Sequence, residues 1–228
     1  MPSNSDIKKI KSLQQKKFRK QLGLFVAEGE KVVQELLASL YVVEDVFRVG
    51  DNISSKELER ISSLKTPNNV LAVARIKSEE PDFTVTSILL DGVSDPGNLG
   101  TIIRLADWYG IKQIVCSNDT VDCFSPKVVQ STMGSLFRVN VVYMELEDFI
   151  TRSECPTQAA VMDGDSDYKC PGKFNLLMGS ESHGIRNDLD RMADKRITIK
   201  RIGEAESLNV GVATGILLDR LFRLNNSG

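Results

Sequence analysis

Apolar residues at Ile7, Ile10, Phe18 and Leu22 recur at helical spacing, with charged residues between them, and predict an amphipathic helix over 6–22. A short apolar run at Leu24–Ala27 reads as a strand. From Gly29 to Ser39 the stripe Val32, Val33, Leu36 and Leu37 predicts a second helix. Tyr41–Val49 is strand-like, Ser54–Leu64 helical, and Val70–Ile76 a strand. This alternation suffices for a compact three-layer α/β unit. The polar stretch Lys77–Asp82, with Pro81 inside it, breaks the pattern as a linker does.

Beyond that break the alternation restarts. Apolar or β-branched runs predict strands at 87–91, 113–116, 139–143, 159–162, 174–178 and 196–200. Helical patterns fall at 98–109, 126–136, 146–153, about 185–191 and 206–224. Short strands separated by helices indicate an α/β fold with a parallel sheet. The last helix, with Leu208, Val212, Gly215, Ile216 and Leu218, is small and apolar nearly all round in its first half. Such a face is buried in the fold or covered by a second chain.

Composition narrows the class. The 228 residues are 41% hydrophobic and 26% charged, as in ordinary globular proteins, and suffice for one large domain or two small ones. No apolar run approaches the ~18 residues of a membrane span. No apolar stretch follows the basic N-terminus, which argues against a secretory signal. Cys116, Cys123, Cys155 and Cys170 show no C-x-x-C spacing, and there is one histidine, so no zinc site is expected. Reduced thiols and a cytoplasmic location follow as expectations.

The net charge of −2 hides an asymmetry: residues 1–80 carry +3 and the remainder −5. Lys8, Lys9, Lys11, Lys16, Lys17, Arg19 and Lys20 crowd into one segment. That pattern fits an N-terminal part that contacts a polyanion, and equally a solvated helix face.

Three stretches place small and polar residues beside strand ends or helix starts: "DPGNLGTIIRLADWYG" at 95–110, "LLMGSESHGI" at 176–185, and "ITIKRIGEAESLNVGVATGILL" at 197–218. In an open α/β sheet such loops share the crevice at the carboxyl ends of the strands. Neither dinucleotide nor P-loop fingerprints occur, which counts against an NAD or ATP enzyme. Taken singly each is ambiguous. Gly97 and Gly100 also suit a turn, Arg104 a structural ion pair, and Glu181 a helix cap. Ser207 and Asn209 suit a helix start, and His183 a surface position.

In combination, the order N-x-G-x-x-x-R, then G-S-E-x-x-G-I, then E-S-L-N-V-x-V-A-x-G-I-L-L resembles the SpoU (TrmH-type) branch of the SPOUT RNA methyltransferases. The resemblance covers 86–228, and "KFRKQLGLFVAEGEKVVQELL" is similar to that family's N-terminal substrate-binding domain. It implies a small α/β RNA-binding domain at 1–80, a linker at 81–85, and a SPOUT-type, mostly parallel sheet domain at 86–228 with a C-terminal trefoil knot. It implies S-adenosylmethionine as cofactor, a ribose 2′-hydroxyl as acceptor, rRNA ahead of tRNA as substrate, and a homodimer through the last helix. Family motif positions fall on Asn98, Arg104, Glu181, Ser207 and Asn209 for catalysis, and on Gly179, Ile199 and Leu208 for backbone contacts to the cofactor. RNA contacts are expected from Lys16, Lys17, Arg19 and Lys20. Lys200 and Gln130 depart from the residues common there. The alternative is a non-catalytic RNA-binding or ribosome-assembly protein on the same fold.

Overall fold

The computed structural model describes residues 2–77, 79–169 and 172–225. Cys170 and residues 226–228 lie outside the described residues. The chain packs as two compact units, one built from residues up to 77 together with 122–138, the other from 79–121 together with 139–225.

The first unit contains α1 (Asn4–Ser12), α2 (Lys16–Leu22), β1 (Leu24–Glu28), α3 (Glu30–Leu37), β2 (Val43–Arg48), α4 (Ser55–Ile61), β3 (Val70–Arg75) and α6 (Pro126–Thr132). Its three strands form an antiparallel sheet in the order β1-β3-β2. Side chains alternate across the sheet. Leu24, Val26, Leu71 and Val73 join Ile7, Ile10, Leu58 and Ile61 in one core, while Phe25 meets Phe124 and Phe137 with ring centroids 4.9 and 6.2 Å away.

The single helix expected over 6–22 is two helices. Leu13 turns into the core, fully buried, and ends α1; Gln15 is extended ahead of α2. The break frees the carbonyls of Leu13 and Gln14, and the Arg19 guanidinium donates to both, at 2.8 and 2.9 Å. Capping boxes at Ser3/Asp6 and Ser54/Glu57 start α1 and α4 by satisfying otherwise unpaired backbone N–H groups.

The second unit contains β4 (Ser87–Asp91), α5 (Pro96–Trp108), β5 (Gln113–Cys116), β6 (Asn140–Tyr143), α7 (Leu146–Arg152), β7 (Thr157–Asp165), β8 (Asn175–Gly179), α8 (Asn187–Met192), β9 (Lys195–Ile197) and α9 (Val210–Asn225). Its six strands are ordered β6-β5-β4-β8-β7-β9, and every ladder is parallel. Leu89, Val115, Ala159 and Leu177 pack with Leu146, Phe149 and Leu189 of α7 and α8. The chain builds outward from β4 through β5 to β6, then crosses over to β7 and returns to place β8 beside β4. That reversal of direction opens a crevice at the carboxyl ends of β4 and β8.

Several boundaries differ from expectation: α6 stops at Thr132, not 136, and β9 at Ile197, not 200. β7 runs on to Asp165, because its polar second half is held by β9: Asp165 pairs with Ile197, and a Cβ on Gly164 would lie 2.6 Å from the Ile197 backbone. The last helix starts at Val210, not 206, since 201–209 is an exposed irregular run. Cys116, Cys123 and Cys155 are buried. No helix among the described residues is long and apolar enough to cross a membrane.

Candidate active site

Three chain segments converge at the carboxyl ends of β4 and β8. β4 ends at Asp91, and Gly92 follows with φ +70°. A Cβ there would sit 3.2 Å from an Asp119 carboxylate oxygen, so only glycine suits both the turn and the space. The chain then reaches Asp95, whose carboxylate accepts the Asn98 backbone N–H at 2.9 Å and caps α5; Pro96 occupies the first turn, where a missing N–H does no harm. Asn98 is thereby fixed in the first turn, at the crevice.

β8 ends at Gly179, the register partner of Asp91. The following loop folds back on itself: Ser180 and Gly184 exchange backbone hydrogen bonds at 3.1 and 2.9 Å. It returns so closely that a Cβ on Gly179 would lie 2.1 Å from the Gly184 carbonyl carbon. Glu181 stands at the exposed crest of this loop. The third segment is the start of α9, where Asn209 Oδ1 accepts the backbone N–H groups of Gly211 and Val212 at 3.0 and 3.2 Å.

These segments are joined through side chains. Asn209 Nδ2 donates to Asn98 Oδ1 at 2.8 Å, and Asn98 Nδ2 donates to Glu181 Oε1. The direction of every bond is set by its ends: the cap uses the oxygen of Asn209, and the carboxylate accepts only from a nitrogen. Close packing of α9 on α5 supports the junction. A Cβ on Gly211 would crowd Thr101 at 3.1 Å, while one on Gly215 would meet Leu105 in ordinary contact at 3.4 Å.

Arg104 lies on α5 with an exposed side chain and no ion pair among the described residues. Its guanidinium is open to an anionic ligand. Ser207 and Leu208 lie on the exposed run 201–209, and Ile199 is half-buried just past β9. The backbone of 199–208 makes no hydrogen bond to other backbone groups among the described residues. Its N–H and C=O groups can read a purine edge, a donor and acceptor set that fits the adenosyl part of a nucleoside cofactor. Lys200 is exposed. Gln130 lies on α6, in the first unit. His183 is exposed, its Nδ1 2.7 Å from Ser182 Oγ. No group of three His, Cys, Asp or Glu side chains among the described residues could hold a metal.

On the first unit, Lys8, Lys9, Lys11, Lys16, Lys17 and Lys20 are exposed. Arg19 is not available to RNA, contrary to expectation: it is 3% exposed and forks onto Asp122 Oδ2 with Nε at 3.0 Å and Nη2 at 2.6 Å. Besides the carboxylate it satisfies the two carbonyls freed at the helix break. It is a structural charge.

One polar pair at the crevice was not anticipated. Asp91, 3% exposed, accepts the backbone N–H of Arg186 on Oδ2 and the Arg186 Nε on Oδ1, both at 2.8 Å. Partial burial works to lower the Arg186 pKa, but Asp91 and then Glu147 outweigh it, and the guanidinium is held above its ordinary value. A carboxylate closing the apolar run "ILLD" is the sequence signal that could have found it, since a buried charge needs a partner.

The profile of the SpoU rRNA Methylase family matches residues 86–219, and that of the MRM3-like substrate binding domain matches 4–52. The 23S rRNA (guanosine(2553)-2′-O)-methyltransferase RlmP of Bacillus subtilis is 30% identical, over 96% of each chain. A TrmH-family protein from Porphyromonas gingivalis superposes with a TM-score of 0.90 at 34% identity, over 97% of this chain and 98% of that one. The S-adenosylmethionine-bound rRNA methyltransferase from Sinorhizobium meliloti gives a TM-score of 0.87 at 30% identity, over 98% and 97%.

Proposed function

The chain belongs to the SpoU rRNA methylase family, and from that premise we propose how its crevice transfers methyl groups and to what. It is an S-adenosylmethionine-dependent RNA 2′-O-ribose methyltransferase. Its substrate is 23S rRNA, as for the Bacillus subtilis relative. Residues 1–80 bind RNA through the exposed lysines of α1 and α2, 81–85 link, and 86–228 catalyse, with the segment around β8 to α9 knotted about the cofactor.

The observation that carries this reading is the hydrogen-bonded run Asn209–Asn98–Glu181, which joins the three motif segments at one point. The cofactor, bound against Gly179, Ile199 and Leu208, supplies an electrophilic methyl group on a sulfonium. The protein must hold a ribose hydroxyl in line with it at about 3–3.5 Å. Arg104 would fork onto the adjoining phosphate and stabilise the negative charge that develops on the 2′-oxygen as its proton leaves to water. A guanidinium holds its proton too firmly to be a good base, so this electrostatic role is assigned to it first. Asn98, held from both sides, fixes the start of α5, the helix that carries Arg104 six residues on. Ser207, beside Asn209, offers a hydroxyl to the ribose.

The enzyme works as a homodimer in the cytoplasm. Val212 and Ile216, on one face of α9, are 51% and 42% exposed, and Trp108 on α5 is 83% exposed. Apolar side chains left open on two helices that pack together fit a seam with a second copy. The test is transfer of labelled methyl from S-adenosylmethionine to protein-free 23S rRNA. A 2′-O-methyl blocks alkaline cleavage of the next phosphodiester, so the label should appear in alkali-stable dinucleotides. Label in mononucleotides, or none in RNA, would refute the proposal.

A further inference from the structure

We propose that Asp91 is a positioning residue of the methyl-transfer site, tying both ends of the loop that carries Glu181 to the end of β4; this rests on the methyltransferase reading above. The loop leaves the sheet at Gly179, the register partner of Asp91. It returns at Arg186, whose backbone N–H is bound by Asp91 Oδ2 at 2.8 Å. The Ser180–Gly184 bridge closes the hoop between those points. Glu181 sits on that hoop and meets Asn98, which follows Asp91 by seven residues along the chain. Asp91 therefore governs both partners of the Asn98–Glu181 contact, one covalently and the other through Arg186.

The carboxylate is chemically specific. Its two oxygens take one donor each, a backbone N–H and the Arg186 Nε. An asparagine has a single acceptor and would turn an NH₂ group toward one of these donors, leaving a nearly buried mismatch. Arg186 also reaches toward Glu147 of α7 at 3.8 Å, so the hoop's return point is braced against a helix as well as a strand. No other contact among the described residues binds the Asp91 carboxylate.

The test is a double-mutant cycle of Asp91→Asn and Glu181→Gln, read as the single-turnover rate of methyl transfer to protein-free 23S rRNA at saturating S-adenosylmethionine. A misplacement of about 1 Å at a reacting centre can cost roughly 10² in rate, so Asp91→Asn should lose about ten- to hundredfold. If Asp91 acts through Glu181, the double variant is no slower than the slower single variant. Losses that multiply, or a wild-type rate for Asp91→Asn, overturn the proposal. Should Asp91→Asn fail to fold, Arg186→Gln replaces it in the same cycle. That change keeps the backbone bond and should show a smaller loss, again without multiplying. A wild type that transfers methyl while the losses multiply fails the positioning claim alone. A wild type that transfers none fails the methyltransferase reading and this inference with it.

Discussion

Gly179→Ala probes the crevice with a single carbon atom. The new Cβ would lie 2.1 Å from the Gly184 carbonyl carbon, 2.3 Å from its oxygen and 2.3 Å from the Ile185 nitrogen. Ordinary contact begins at 3.4 Å, and all three neighbours are backbone atoms that cannot rotate away. The return strand of the loop must therefore move by about 1 Å, in the segment that carries Glu181 and ends on Asp91. Overpacking of this kind costs about 1–3 kcal/mol. On the loop proposed to hold the cofactor, it converts to a roughly fivefold to hundredfold weaker dissociation constant, at about 1.4 kcal/mol per tenfold. Titration calorimetry with S-adenosylmethionine reads the affinity, and a thermal melt of the free protein separates loop strain from global unfolding. Affinity within twofold of wild type, with an unchanged midpoint, would refute the claim that this loop is packed against its own strand at the cofactor site.

Changing Lys16, Lys17 and Lys20 together to Gln should weaken RNA binding and flatten its salt dependence while leaving cofactor affinity unchanged; an unchanged salt slope would make them a solvated face. Arg19→Met should act on stability instead, costing about 3–5 kcal/mol in denaturant melts because Asp122 and two carbonyls lose their partner. Val212→Glu should yield monomers or unfolded chain in light scattering, since it drives a charge into the proposed seam; a monomeric wild type at micromolar concentration would contradict that.

The parts of the fold that sequence patterns capture are those where burial and periodicity agree. β4 and β5 are buried on both faces and read as continuous apolar runs, so their bounds match the structure. The break at Leu13 was hidden because the carbonyls it frees are satisfied by Arg19, a charge that a pattern of apolar and polar positions counts as surface. The extension of β7 was hidden because its polar residues Asp163 and Asp165 are held by Arg196 and Lys195 of β9, not by apolar burial. At the site, Asn98 lies 83 residues from Glu181 and 111 from Asn209, a distance that no local spacing can bridge. The order of the three motifs brought those residues into one hypothesis through a family resemblance. The Asp91–Arg186 pair lay outside the motifs and emerged only from the geometry.

The most direct test of the account is Arg104→Ala, measured by single-turnover transfer of labelled methyl to protein-free 23S rRNA beside calorimetry of S-adenosylmethionine binding. Arg104 is exposed on α5 and lacks an ion pair among the described residues, so its removal should leave the fold intact. Loss of an electrostatic stabiliser of this kind typically costs about 10²–10³ in rate. Arg104→Lys should fail similarly, since an ammonium cannot reproduce the planar fork. The predicted result is transfer nearly abolished with cofactor affinity within a few-fold of wild type. Wild-type-like transfer by the alanine variant would reduce Arg104 to a bystander and contradict the mechanism.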